Sequence, residues 1–365
     1  FFDDPRTVFR QLAKTLKEQG VSRIRGDVIG DDDAFEEPTW GFGVTLEDLP
    51  HYYAAKVGAL QLDENYIDIR VVAPKEAGAP VRLEPRLPTR YFEIENAVVV
   101  TDKGASWVEV SRDPGSRRVR VFGRVKPGDP TREVAPSVPD PTAFYLTVLV
   151  EVLEEAGIVV EGRAVDADDI EGWQSGAPKA AAVMSHRSPP LSAILKLFLE
   201  RSQNLYGETL VRAMGRQRFR EGSFLAGRRA VQATLGDLGL SSDQYLFTDG
   251  SGLSRYDYVS PRALVHVLKA MRGHEYSRVF EDALPLAGRE GTLARRMKGT
   301  VAEGNVNAKT GTISNVRALS GYVTTADGEP LVFSFLVNGH ARSNAETEEI
   351  TDGVLVVLAG LDRGR

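Results

Sequence analysis

Apolar side chains at Val8, Phe9, Leu12 and Leu16 recur at helical spacing over residues 5–19, and Gly20 stands where such a helix would stop. Residues 21–29 then alternate as a strand that ends at Gly30-Asp31-Asp32-Asp33. Trp40, Tyr52 and Tyr53 lie in an irregular aromatic stretch expected to pack on the flank of this small α/β unit. From about Tyr66 to Val125 the pattern changes to short alternating runs, at 66–72, 91–101, 107–111 and 118–125, separated by Pro and Gly. This stretch is predicted to be β-rich. Helical spacing returns over 141–157 through Phe144, Leu146, Val148, Leu149 and Leu153, and a strand is expected at 158–164.

Residues 174–182, rich in Gly, Pro and small side chains, form the best linker candidate. After Ser188-Pro189-Pro190, the residues Leu191, Ile194, Leu195, Phe198 and Leu199 make one apolar stripe. That helix is expected to break near Arg201-Ser202-Gln203-Asn204 and to resume over 205–214. Three strand-like runs follow at 306–313, 317–324 and 331–337, joined by short turns such as Ala326-Asp327-Gly328, the pattern of an antiparallel meander. A last amphipathic helix over about 345–361 would cover one of its faces. No internal repeat interrupts this order.

Composition narrows the classes. The 365 residues are 42% hydrophobic and 26% charged, enough for two or three packed domains and unlike a disordered chain, collagen or a coiled coil. No run approaches the ~18 uninterrupted apolar residues of a membrane-spanning helix. The formal net charge of −6 argues against a partner held mainly through nucleic-acid phosphates. Cysteine is absent, which removes thiol nucleophiles, disulfides, iron–sulfur clusters and cysteine zinc sites together. Phe1 is preceded by no Met and followed by no signal-like stretch, so the N-terminus reads as a cut end.

Most chemical motifs are missing. His51, His186, His266, His274 and His340 lack metal-ligand spacing, and Asp31-Asp32-Asp33 lacks the calcium-loop pattern and reads as a solvated turn. Gly41-Phe42-Gly43 and Gly250-Ser251-Gly252 lack the remaining glycine and lysine of a phosphate cradle. One signal differs: Lys309-Thr310-Gly311, with Thr312 directly after it, opens a predicted edge strand, and the triplet Ser202-Gln203-Asn204 interrupts a helix upstream. A cation and two hydroxyls on a strand edge, with a glycine that admits a ligand to the backbone, suit a carboxylate. A substrate can add there as an extra strand, and an amide N–H near Thr312 can help hold an oxyanion. Opposite, Ser202 can relay a proton and the Asn204 amide can bind a cationic partner and a substrate carbonyl. Taken locally, Lys309 also reads as an exposed edge lysine that prevents aggregation and contributes little to stability, and Ser202 and Asn204 as a helix cap.

Wider resemblance favours the site. S-x-N and K-T-G belong to the signature set of penicillin-binding proteins and class A β-lactamases. Gly26-Asp27-Val28-Ile29-Gly30-Asp31, Tyr53-Ala54-Ala55, Ser188-Pro189-Pro190-Leu191, Asp249-Gly250-Ser251-Gly252-Leu253-Ser254-Arg255, Leu284-Pro285-Leu286-Ala287-Gly288 and Leu319-Ser320-Gly321-Tyr322 extend it end to end and in order. The chain resembles the D-alanyl-D-alanine carboxypeptidase/endopeptidases of serine peptidase family S13, the class C low-molecular-mass penicillin-binding proteins. The resemblance implies an α+β fold: a transpeptidase-like catalytic domain, an antiparallel sheet flanked by helices, interrupted by an α/β insertion at 1–72 and a β-rich insertion at 73–178, with 179–365 as the C-terminal part of the catalytic domain. It further implies Ser202, Asn204 and Lys309 as catalytic residues, Thr310, Gly311 and Thr312 as substrate-binding residues, and no metal or organic cofactor. Its partners would be stem peptides ending in D-Ala-D-Ala and β-lactams, met outside the cytoplasmic membrane.

The family's nucleophile and base lie on an S-x-x-K helix, and no S-x-x-K occurs in these 365 residues. Ser192 and Lys196 are one residue too far apart and belong to the stripe leading into S-x-N. A missing central helix would expose apolar surface worth about 25 cal/mol per Å². The expectation is therefore an incomplete sequence that begins after that helix and its export signal. The rival is a non-catalytic peptidoglycan-binding pseudoenzyme or scaffold that kept the clamp. An esterase or β-lactamase on the same fold is a third reading, disfavoured by the inserted segments.

Overall fold

The computed structural model describes residues 4–36, 39–76, 78–173 and 181–364; the expected linker lies mostly outside these, at 174–180. The chain forms two compact units, one from Phe1–Trp40, Val44–Ser188 and Glu221–Ser223, the other from Gly41–Gly43, Pro189–Arg220 and Phe224–Arg365. No helix among the described residues is long and apolar enough to cross a membrane.

In the first unit, α1 (Thr7–Glu18) follows the predicted stripe, and Gly20 ends it with a left-handed φ of 80°. The expected strand at 21–29 is two short strands, β1 (Arg23–Ile24) and β2 (Val28–Gly30). Then come β3 (Ile69–Val72), β4 (Arg82–Pro85), β5 (Glu93–Val100), β6 (Trp107–Ser111), β7 (Arg118–Val125) and β8 (Arg132–Val134). Helix α2 (Pro141–Glu155) leads to β9 (Val159–Val160) and β10 (Ala164–Asp166), where one strand was expected at 158–164. Both corrections have one cause. β1 pairs in parallel with β9 and β2 with β10, and between the two ladders the backbones of Gly26 and Gly162 touch: a Cβ on Gly162 would stand 2.2 Å from the Gly26 carbonyl oxygen. Alternation of side chains cannot report such a break.

The strands at 93–100, 107–111 and 118–125 form one sheet in the order β5-β7-β6, and β4-β3-β8 form another. Helix α2 packs against α1 and the short strands β2, β9 and β10. Its apolar residues surround the axis, with Phe144, Leu146, Val148, Val150, Val152 and Leu153 all buried, the mark of a helix enclosed on several sides. Asp140 caps it by accepting from the Ala143 N–H at 2.9 Å, ahead of Pro141 in the first turn. Residues from α1, β3, β7 and α2 share one apolar cluster, to which segments 1–72 and 73–178 both contribute.

The second unit opens with α3 (Leu191–Arg201), α4 (Asn204–Phe219) and α5 (Phe224–Asp237). A small hairpin of β11 (Tyr245–Leu246) and β12 (Tyr258–Val259) precedes α6 (Pro261–Arg272) and α7 (Ser277–Ala283). The meander is as predicted: β13 (Asn307–Ile313), β14 (Val316–Thr324) and β15 (Pro330–Asn338) pair antiparallel in that order, and α8 (Asn344–Ala359) follows. Ala308, Leu319, Val323 and Phe333 turn to one face of the sheet and pack with Leu355 and Ala359 of α8. Tyr322, on the opposite face, packs with Leu199 of α3 and Leu268 of α6. The sheet is thus covered by helices on both sides.

Phe144 is fully buried at the centre of the first unit. Phe144→Ala is expected to cost about 3–5 kcal/mol, read as a lower urea midpoint with an unchanged slope. A loss below about 1 kcal/mol would show that α2 does not organise this core.

Candidate active site

The S-x-N triplet forms the corner between two helices of the second unit. Ser202 terminates α3 in the left-handed region, at φ 55° and ψ 47°, uncommon for a residue with a side chain. Gln203 caps α4, accepting from the Leu205 N–H at 3.4 Å, and Asn204 is the first residue of that helix. Ser202 is thus the C-cap residue of α3, and Gln203 supplies the N-cap side chain of α4.

Lys309, the third residue of β13, reaches that corner. Its Nζ donates to Ser202 Oγ at 2.7 Å and to the Thr310 carbonyl oxygen at 2.6 Å. It is not the solvated edge lysine of the alternative reading: burial lowers its pKa from 10.5 to about 8. Thr310 Oγ1 donates to Thr292 Oγ1 at 2.9 Å, while the Thr312 side chain is exposed. Among the described residues, other backbone segments pair with the outer side of β13 at its start, where the Ala308 N–H donates to Pro285 O and Leu286 bridges Asn307, while the Thr310 carbonyl takes the Lys309 amine. From Lys309 to Thr312 the described residues make no backbone hydrogen bond outside the β13–β14 ladder. An extended chain can add there.

The corner is braced from behind. A Cβ on Gly207 in α4 would stand 2.1 Å from the Gly250 carbonyl oxygen, so this helix and the 249–254 loop meet backbone to backbone. Buried Glu208 uses one carboxylate oxygen to accept from the Gly250 and Ser251 N–H groups, at 2.8 and 3.2 Å. Its other oxygen takes Arg212 Nη1 at 2.7 Å. Asp249, fully buried, accepts from Gly252 N at 2.8 Å and from Leu253 N and Ser254 N at 3.1 Å. Burial, with a hydrogen bond to Asp249, lifts the Asp257 carboxyl well above the ordinary carboxylate range.

Of the residues predicted from sequence, Ser202 and Lys309 touch directly, Thr310 faces Thr292, and Asn204 stands two residues from Ser202 at the head of α4. Sequence reasoning missed Glu208, Arg212, Thr292 and Arg317. Glu208 and Arg212 carry a weak signal in their i, i+4 spacing, common on exposed helices too. Thr292 falls in Gly291-Thr292-Leu293, one of the stretches that carry the family resemblance but with no role assigned, and Arg317 carries no signal. Among the described residues, Asp32, Asp166 and Asp168 in the first unit bring carboxylate oxygens within 4.8 Å of one another. Asp32 accepts from the Thr142 hydroxyl and Asp166 from the Asp168 N–H, which accounts for the half-buried Asp32 in the turn expected to be solvated.

Because its folded pKa lies below its unfolded one, Lys309 binds fewer protons folded than unfolded between pH 8 and 10.5. Its contribution to stability should rise with pH across that window, and side-chain NMR should find its titration near 8. A titration near 10.5 would mean that the amine is hydrated. Gly207→Ala should destabilise the protein by more than about 2 kcal/mol, since the clashing atom is backbone; a neutral effect by thermal unfolding would contradict the close approach.

Residues 4–361 match the model of the D-Ala-D-Ala carboxypeptidase 3 (S13) family. The chain is 33% identical over 361 residues to the D-alanyl-D-alanine carboxypeptidase of an Actinomadura species, covering 95% of this chain but only 65% of that protein. It is 27% identical over 360 residues to the D-alanyl-D-alanine carboxypeptidase DacB of Haemophilus influenzae, covering 95% of this chain and 73% of that protein. The crystal structure of penicillin-binding protein 4 from H. influenzae superposes with a TM-score of 0.80 at 24% identity, over 98% of this chain and 80% of that one, which establishes the fold. The family match across nearly the whole chain agrees with the K-T-G strand and S-x-N corner: this chain belongs to the D-Ala-D-Ala carboxypeptidase 3 (S13) family.

Proposed function

We propose that the whole protein is a serine-type D-alanyl-D-alanine carboxypeptidase/endopeptidase that trims peptidoglycan stem peptides outside the cytoplasmic membrane and is acylated by β-lactams. The observation that carries this reading is the Lys309–Ser202 contact, formed between an open strand edge and a helix corner that are remote in sequence. In this reading residues 179–365 are the C-terminal part of the catalytic domain, and 1–72 and 73–178 are segments inserted into it. The named carboxypeptidase activities of the relatives support the reaction class.

The steps are those that the family resemblance implies. The nucleophilic Ser, which with its Lys is not among these 365 residues, would attack the carbonyl between the two D-Ala residues as that Lys takes the hydroxyl proton. Ser202, polarised by Lys309, would pass a proton to the departing amine, so that the C–N bond breaks to release neutral product amine. Asn204 would orient the peptide amide, and the Thr312 N–H would bind the oxyanion. Thr310 and Thr312 hydroxyls would hold the terminal carboxylate in the field of Lys309. Water would then hydrolyse the acyl-enzyme.

The second reading is a peptidoglycan-binding pseudoenzyme or scaffold that keeps the same clamp without a nucleophile. Incubating the full-length gene product with a fluorescent penicillin separates the two: a denaturation-resistant label supports the enzyme, reversible binding alone the scaffold. In the labelled enzyme Lys309→Ala should remove most acylation, and wild-type acylation should fall as pH rises through about 8, where the cation is lost. Ser202→Ala should lower kcat far more than it raises KM. Unchanged rates in Lys309→Ala would move the clamp elsewhere.

A further inference from the structure

Strand register divides the K-T-G residues between two faces. Cross-strand neighbours share a face, so Lys309 lies with Ser320 and Ser334, whereas Thr310 lies with Leu319 and Thr312 with Arg317. On the first face the Lys309 Nζ is already engaged by Ser202 and the Thr310 carbonyl. On the second, Thr310, Thr312 and Arg317 line a pocket of about 250 Å³ with Arg296 and Glu348.

The two guanidinium groups of this pocket differ. Arg296 is neutralised by Asp352, with contacts of 2.5–3.2 Å. Arg317 is only 8% exposed, and its Nη1 donates to the Ile313 and Val316 carbonyls at 3.0 and 2.7 Å. Its Nε is buried without a hydrogen-bond partner, and no carboxylate among the described residues forms an ion pair with it. Glu348 lines the same pocket but is not such a partner. A buried guanidinium lacking its acid is costly, and a planar carboxylate arriving beside two hydroxyls would offset that cost with paired N–H···O bonds.

We propose that Arg317 is the direct cationic partner of the substrate's terminal carboxylate and hence a specificity-determining residue. It grips the carboxylate with the Thr310 and Thr312 hydroxyls, while Lys309 serves Ser202 on the other face. This inference rests on the carboxypeptidase reading above and divides between two side chains the work assigned there to one.

The test uses the full-length protein and two probe pairs that differ only in the carboxylate: benzylpenicillin against its methyl ester, and N-acetyl-D-alanine against its amide. Arg317→Gln should slow acylation by benzylpenicillin about 10- to 100-fold, with the methyl ester changed less than about threefold. Glu348→Gln, which removes the pocket's own negative charge, should speed benzylpenicillin about threefold. Equal losses for both compounds in Arg317→Gln, or a slower Glu348→Gln, would overturn the assignment. Should the unaltered protein take up neither compound, the enzymatic reading fails, and NMR of the Arg317 Nε–H decides the pocket separately. A shift with N-acetyl-D-alanine and none with the amide supports the carboxylate site; no shift with either refutes it. Because this last measurement needs no variant, misfolding of Arg317→Gln leaves the question open to decision.

Discussion

The hydrogen bond from Lys309 to Ser202 joins the edge of the C-terminal sheet to the corner where α3 gives way to α4. It asks much of its surroundings. The amine must leave water, which pulls its pKa from 10.5 to about 8, and the serine must hold a left-handed backbone conformation that costs of order 1 kcal/mol. Neither is repaid by that contact alone. A Lys-to-hydroxyl bond is worth about 1.5–3 kcal/mol, less than burial and strain together consume. The contact persists because the elements on both sides are held by other forces: the β13–β14–β15 ladder with its two helix-covered faces, and the brace behind α4.

That brace is electrostatic where the rest of the unit is apolar. Glu208, Arg212 and Asp249 are buried, yet each carries partners suited to its charge: the carboxylates take backbone N–H groups of the 249–254 loop, and the guanidinium takes Glu208. Such networks contribute little net stability compared with an apolar core of the same volume, but they hold a loop at one distance and one angle. The same accounting makes Arg317 stand apart. Where Arg212 and Arg296 each meet a carboxylate, Arg317 meets, among the described residues, two carbonyls of its own hairpin.

The first unit is built differently. Its core is a continuous apolar cluster spanning α1, two sheets and the enclosed helix α2, and its ion pairs lie mainly at the surface, where they are worth little individually. Hydrophobic periodicity reports such a core well. The strands at 107–111 and 118–125 and the helix from Pro141 coincide with the runs read from sequence, because alternating burial is the cause of both. The reading failed where two backbones touch at Gly26 and Gly162, since a ladder broken by a close approach leaves the alternation of its side chains intact.

Most local elements, the meander that presents Lys309-Thr310-Gly311 on an edge, the helix break at Ser202 and, through motif order, the family are legible along the chain. Each is a property of neighbours along the chain: spacing, turn chemistry and capping act over a few residues. Which charges leave water is settled in the folded chain. Folding turned Lys309 from a solvated edge residue into a half-buried donor to Ser202, made Glu208 and Arg212 an internal brace, and left Arg317 beside Thr310 and Thr312 without an acid among the described residues. Solvation of a charge depends on every element packed against it, and those elements come from parts of the chain that no local pattern connects.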